Sequence, residues 1–233
     1  MKKLHIFLFI LLPLIGLMSC SKDNKDENAP SITPEASGTM TDVRDGATYH
    51  WVRYNGLDWT VENSRYNTGD ANCAVYYTNK AIGQDDSSND SLTVKNYGYL
   101  YNLKGAKAAV PDGWRLPTDE DYKKLEQALG MSSAEADADG WRGSYQATLL
   151  TQSEQGSQLA FKYGGLYDAN STSYSSSLHY LWQTAYGYYW SATEITDSGV
   201  AYFRKIQYNT GQVWRHTTDV NNMFSVRFVR DAK

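Results

Sequence analysis

Two short runs joined by Asn55-Gly56 constrain this chain more than any other feature in it. Residues 48–54 set Thr48, His50, Val52 and Tyr54 against Tyr49, Trp51 and Arg53, the two-residue period of a strand whose faces differ chemically. The pattern resumes at Leu57-Asp58-Trp59-Thr60-Val61. Asn and Gly both tolerate positive φ, so Asn-Gly between two such runs specifies a tight antiparallel hairpin. Further strands are expected at 158–164, 187–193, 200–208, 211–216 and 224–230, with Asn209-Thr210-Gly211 as a second hairpin turn. Phe203 and Ile206 cannot share a face of a regular strand, which predicts a bulge between them.

One helix is expected over 118–129. Thr118 can cap it, Asp119, Glu120 and Asp121 complement its positive end, and Tyr122, Leu125 and Leu129 recur at helical spacing. Pro117 blocks an earlier start and Gly130 supplies a left-handed exit. Residues 132–138 can form a second, short helix. The stretch 64–96 is polar and reads as irregular, and its run Gln84-Asp85-Asp86-Ser87-Ser88-Asn89-Asp90 reads as a solvated loop, because it lacks the Gly-punctuated spacing of a calcium loop.

The N-terminus carries an address. Lys2 and Lys3 precede an apolar run over 6–17, too short to span a bilayer but suited to a signal-peptide core. Leu17-Met18-Ser19-Cys20 resembles a bacterial lipobox, which makes Cys20 the expected lipidation site and residues 1–19 the signal peptide. Residues 20–40, with Pro30 and Pro34 and Ile32 as the one large aliphatic side chain before Met40, read as a tether of about 25 Å average reach. Its start, Lys22-Asp23-Asn24-Lys25-Asp26-Glu27, looks like the acidic export signal of surface lipoproteins in some Gram-negative bacteria; a solvated linker is the alternative. The folded domain is placed at 41–233. The expected location is the outer membrane, held by the N-terminal lipid and facing the exterior.

Several blocks downstream resemble one family. Trp59-Thr60-Val61-Glu62-Asn63, Tyr97-Gly98-Tyr99-Leu100-Tyr101-Asn102, Pro111-Asp112-Gly113-Trp114-Arg115-Leu116-Pro117-Thr118-Asp119-Glu120, Tyr189-Trp190-Ser191-Ala192-Thr193-Glu194 and Phe224-Ser225-Val226-Arg227-Phe228-Val229-Arg230-Asp231 are similar, in order, to the motifs of the Fibrobacter succinogenes major paralogous domain. Arg142-Gly143-Ser144 begins a partial match from which Tyr145 and Ala147 depart. The resemblance implies an α+β, C-type-lectin-like fold akin to the formylglycine-generating enzymes: twisted antiparallel strands, one clear helix and long irregular loops. It also implies a secreted or lipid-anchored protein of Bacteroidetes-like bacteria, in a family mostly without assigned activity. Physically, Pro111 and Gly113 suit a turn, Trp114 a core plug and Arg115 a loop tie, with Trp59, Trp190 and Arg227 read likewise as scaffold.

Composition narrows the function. A net charge of −4 excludes a basic nucleic-acid footprint. Of 2 Cys, only Cys73 lies beyond residue 20, so the cysteine pair of formylglycine-generating enzymes is missing, and Cys73 reads as a small buried hydrophobe. His50, His179 and His216 have no metal-ligand spacing, and Glu62, Asp119, Glu120 and Glu194 read as caps or scaffold. Neither catalysis, a metal nor a cofactor is expected. The tripeptides of calcium-dependent lectins, Glu-Pro-Asn, Gln-Pro-Asp and Trp-Asn-Asp, do not occur.

The chain has 19 Tyr and 7 Trp against 6 Phe, aromatics with a polar handle that suit half-wet faces. Between Phe161 and Trp190 lie seven Tyr and two Trp among Gly, Ser and Asn, a paratope-like mixture. The expected ligand contacts are Tyr202, Arg204, Tyr208, Asn209, Trp214, His216, Asp219, Asn221 and Asn222, for a glycan or protein partner. The resulting expectation is a non-catalytic ligand-binding protein or adhesin, with a structural surface or assembly component as the alternative. The closing segment also looks like the variable region of retroelement-diversified lectin-fold proteins, in which residues of these types accumulate.

Overall fold

Asn55 (φ 48°) and Gly56 (φ 74°) both take the left-handed conformation, closing the expected hairpin in this computed structural model, which describes residues 29–76, 87–173 and 179–233. The signal peptide, Cys20, and residues 84–86 of the acidic run lie outside the described residues. The hairpin joins β2 (Thr48–Tyr54) to β3 (Leu57–Thr60). Two strands extend it into an antiparallel sheet ordered β1-β2-β3-β12: the preceding β1 (Ser37–Thr41) on one edge and the C-terminal β12 (Val229–Asp231) on the other. The expected domain start at 41 therefore falls inside β1, and Ala29 and Ile32, assigned to the tether, pack against the core.

The stretch expected to be irregular contains β4 (Cys73–Ala74) and α1 (Ser87–Tyr97). The helix escaped notice because it lacks an apolar stripe: Leu92 is exposed and Val94 only half-buried. Gly98 (φ 75°) ends it, its N–H returning to the Val94 carbonyl at 2.9 Å. β5 (Leu100–Tyr101) pairs with β4, and α2 (Leu103–Ala108) is capped by Asn102, whose side chain accepts the Gly105 N–H at 2.8 Å.

The expected helix is α3 (Asp119–Ala128). Thr118 and Asp121 form a reciprocal capping box, and Gly130 (φ 91°) follows the C-cap Leu129. The second is α4 (Ser133–Asp137), capped by Ser132. Two more elements were not expected, β6 (Gly140–Arg142) and α5 (Gln146–Thr151). β7 (Leu166–Tyr167) and β8 (Tyr180–Leu181) form a two-residue ribbon.

β9 (Tyr186–Ile195), β10 (Val200–Gln207) and β11 (Val213–Asp219) complete a second antiparallel sheet, ordered β6-β11-β10-β9. Both faces of this sheet are covered, which relocates the expected bulge. Phe203 and Ile206 are both buried because they point to opposite faces, Phe203 with Trp190 and Phe224, Ile206 with Tyr189 and Val213. The irregularity lies instead between Ala201 and Phe203, where β9 carries extra residues. One face packs on α3, α5 and the first sheet. The other packs on α2 and the segment around Phe224 and Phe228.

Two expected strands do not form as drawn. Residues 158–164 form no strand, since Gln158 (φ 55°) and Ala160 (φ 49°) are left-handed. In the segment expected over 224–230, only Val229 and Arg230 join β12. The second stretch carries Arg227, fully buried, donating to Asn63 Oδ1 (2.6 Å) and to the carbonyls of Thr60 (2.7 Å), Val61, Leu159 (2.9 Å) and Ala160 (2.8 Å). Its guanidinium fastens the 158–161 loop to the end of β3. Burial pushes its pKa down, yet the acceptors around it are those of a cation.

The molecule is thus a mixed α/β domain of mostly antiparallel sheets with few and short helices. Among the described residues no helix is long and apolar enough to cross a membrane.

Candidate aromatic recognition face

Alternation along the second sheet sorts the expected contacts onto opposite sides. On the side facing α3, Arg204 is 1% exposed, its Nε donating to Glu126 Oε1 and its Nη1 to Asp119 Oδ1, both at 2.7 Å. Arg215 also binds Asp119 through Nη2 at 2.7 Å, and Arg142 Nη2 lies 2.9 Å from Glu126. Burial works to raise the Asp119 pKa, but the two guanidiniums outweigh it and hold the carboxyl below the usual range. Arg204 is therefore a buried strut and not a ligand contact. Tyr202, on the same side, lies against Arg215, whose guanidinium is 4.3 Å from its ring centre.

The remaining expected contacts do not form one site. Tyr208 (58% exposed) and Asn209 sit at the β10–β11 turn, whereas Asp219, Asn221 and Asn222 lie at the far end of that hairpin, on the order of 20 Å away at about 3.3 Å per residue. At that end the polar groups serve the loop. Asp219 accepts the Asn221 N–H at 2.8 Å, and the buried Asn222 accepts the Ala169 N–H at 3.0 Å.

Trp214 and His216 are on the other side, and there the register assembles a platform. Trp141 of β6, Trp214 of β11 and Lys205 of β10 are direct cross-strand neighbours in one row. Trp141 and Trp214 meet edge to face at 5.4 Å, and His216 lies 6.0 Å beyond Trp214. Lys205 Nζ is 4.4 Å from the Trp214 ring centre, 4.9 Å from Trp141 and 5.8 Å from Tyr186. Tyr186 carries the surface on to Trp182, 4.9 Å away and 49% exposed. Trp182 and Thr184 both hold positive φ, 68° and 69°, in a tight turn where the Tyr186 N–H returns to the Trp182 carbonyl at 2.9 Å. Left-handed non-glycine residues are costly and concentrate where function requires a particular presentation. Tyr208 borders this end, its N–H bonded to the Ala185 carbonyl at 3.1 Å.

Trp141 and Lys205 were missed from sequence because only the register of three strands brings them together. Trp182 and Tyr186 belong to the Tyr- and Trp-rich segment, whose other members divide: Tyr188, Tyr189 and Trp190 are core, and Tyr174 lies outside the described residues.

Groups with chemical potential elsewhere are engaged. His50 Nδ1 is 2.7 Å from Glu62, His179 stacks on Tyr167 at 5.1 Å, and His216 Nδ1 is 2.9 Å from Asp139. Glu120 pairs with Lys123 and Glu194 with Lys107. Cys73 is half-buried, not fully buried as expected, and its thiol lies 3.3 Å from Asn67 Oδ1. Trp114 is likewise half-buried, under the Arg230 guanidinium at 4.6 Å, so it covers the edge of the core and does not plug it. Among the described residues no three His, Cys, Asp or Glu side chains gather as a metal site. Concave surfaces among the described residues, such as those between Arg65, Asp90, Lys95 and Tyr99, between His50, Trp51 and Gln158, and between Glu62, Lys95 and Lys162, share no residue with the platform. The platform instead sets half-buried rings edge to face and tilted, so each indole offers its own stacking surface.

No curated protein and no solved structure matches the chain. The model of the Fibrobacter succinogenes major domain matches residues 52–230, from within β2 into β12, and so takes in the second sheet, the first sheet without β1, the Arg227 strut and the whole aromatic platform. The chain belongs to the Fibrobacter succinogenes major domain family.

Proposed function

We propose that this protein is a non-catalytic recognition module, lipid-anchored at Cys20 to the outer membrane and displayed outward, which binds a surface ligand through the Trp141–Trp214–Lys205–Tyr186–Trp182 platform. The observation that carries the reading is a row of half-buried rings, ending in the exposed Trp182, on a sheet whose other face is locked by buried ion pairs. Tryptophan and tyrosine on a rigid support give large contact area at little conformational cost. The two sheets, the short helices and the long loops are compatible with a C-type-lectin-like fold, in which such a face would serve binding.

The test is binding of the purified protein to glycan and host-protein arrays, with and without EDTA. Saturable binding is expected, reduced tenfold or more by Trp214→Ala or Trp182→Ala and unchanged by Tyr202→Ala, whose side chain lies across the sheet. Binding that follows Tyr202 and ignores Trp214 would move the site to the other side. A folded protein that binds nothing would favour an assembly component.

A further inference from the structure

Lys205 is held differently from Lys107 and Lys123, whose ammoniums are ion-paired. Lys107 pairs with Glu194, and Lys123 with Glu120 and Asp137. Among the described residues Lys205 has no carboxylate partner, and its ammonium lies over the rings of Trp141, Trp214 and Tyr186. Asp139, on the loop ahead of β6, is already engaged by His216. The amine is thus partly stripped of water without a counter-ion, and burial lowers its pKa accordingly. Ring faces stabilise a cation from the side but satisfy none of its N–H donors. An anion delivered from solvent would complete the shell with charge-assisted hydrogen bonds. A cationic ligand would meet a cage already filled by the chain's own ammonium.

Resting on the recognition reading above, we propose that this face is a subsite for an acidic sugar: the pyranose stacks on Trp214 or Trp141, and its carboxylate bonds Lys205 Nζ. A pyranose presents an apolar C–H face to one indole and its carboxylate to the ammonium beside it, so the match needs only one ring of the edge-to-face pair.

Calorimetric titration of the full chain tests this, with a galacturonate oligosaccharide and sialyllactose as acidic probes and a galactose oligosaccharide and lactose as their neutral counterparts. At least one acidic probe is expected to bind about tenfold or more tightly than its neutral counterpart, and the two acidic arms separate uronic from sialic acid. Lys205→Met, which keeps the length of the stem, should lose that preference, while Lys205→Arg should keep it. Near-ultraviolet circular dichroism checks that the tryptophan packing survives each change. Equal binding of acidic and neutral probes, or acidic binding unchanged in Lys205→Met, overturns the proposal. So does the absence of binding to both acidic probes at about 10 mM. Capture of a neutral glycan or a protein that is lost in Trp214→Ala but indifferent to Lys205→Met would overturn the acidic class and leave the recognition reading standing.

Discussion

Arg227 shows how one side chain can set the path of the backbone. Its five hydrogen bonds end on one side-chain oxygen and four backbone carbonyls, with no carboxylate among them. Truncation would leave those acceptors dry and unpaired, each at a cost of about 1–3 kcal/mol. Arg227→Ala is therefore expected to destabilise by at least about 3 kcal/mol in urea unfolding, a loss that a surface arginine would not produce. Asp119 makes a second prediction, on pH. Its folded pKa is lowered, so its stabilising contribution is complete above the unfolded value near 3.8 and is lost as pH falls through the lower folded value. Asp121 has a lowered pKa too: burial raises it, but Arg115 and the Thr118 cap prevail. Unfolding midpoints should then drop steeply below about pH 4, and Asp119→Asn should be less stable at neutral pH with a shallower acid slope. Equal acid slopes in the two proteins would show that the pair with Arg204 and Arg215 contributes no such linkage.

The elements legible in the sequence are those whose signals are local. The Asn55-Gly56 hairpin and α3 each carry their own start and stop, in two positive-φ positions for one and a capping box with a C-terminal glycine for the other. Gly56 (φ 74°) has no neighbour near the position a Cβ would occupy, so Gly56→Ala probes backbone strain without a steric clash. It should cost about 1 kcal/mol, read as a shift in denaturant midpoint with unchanged slope. The elements that were not legible depend on distant partners. α2 and α5 have six residues each, too few to display a helical period. The stretch over 158–164 alternates acceptably for a strand but is claimed by Arg227, some sixty residues later. The Phe203–Ile206 spacing implied a bulge only under the assumption of one buried face, and this sheet has two.

At the scale of the molecule, recognition is written in register. Trp141, Lys205 and Trp214 become neighbours through β6–β11–β10 pairing, so composition could announce an aromatic face without naming its members. The same dependence on pairing governs where the folded unit begins. Composition placed its start at 41, yet β1 pairs with β2 from Ser37↔Val52 to Thr41↔Thr48, Glu35 accepts the Asn55 N–H at 2.6 Å, and Ile32 packs on the core. A chain beginning at residue 41 would keep only the last residue of β1 and leave β2 as a seven-residue edge carrying Trp51, whose ring now covers Gly38. An uncovered, ring-bearing edge is a template for pairing with another chain. Such a chain should unfold at lower denaturant than one beginning at residue 29 and should associate as its concentration rises, as sedimentation would detect. If both chains unfold together and stay monomeric, β1 is a passive addition to the sheet. If they differ as expected, the domain reaches back into the segment that looked like tether, and its first strand shields the edge on which the whole first sheet depends.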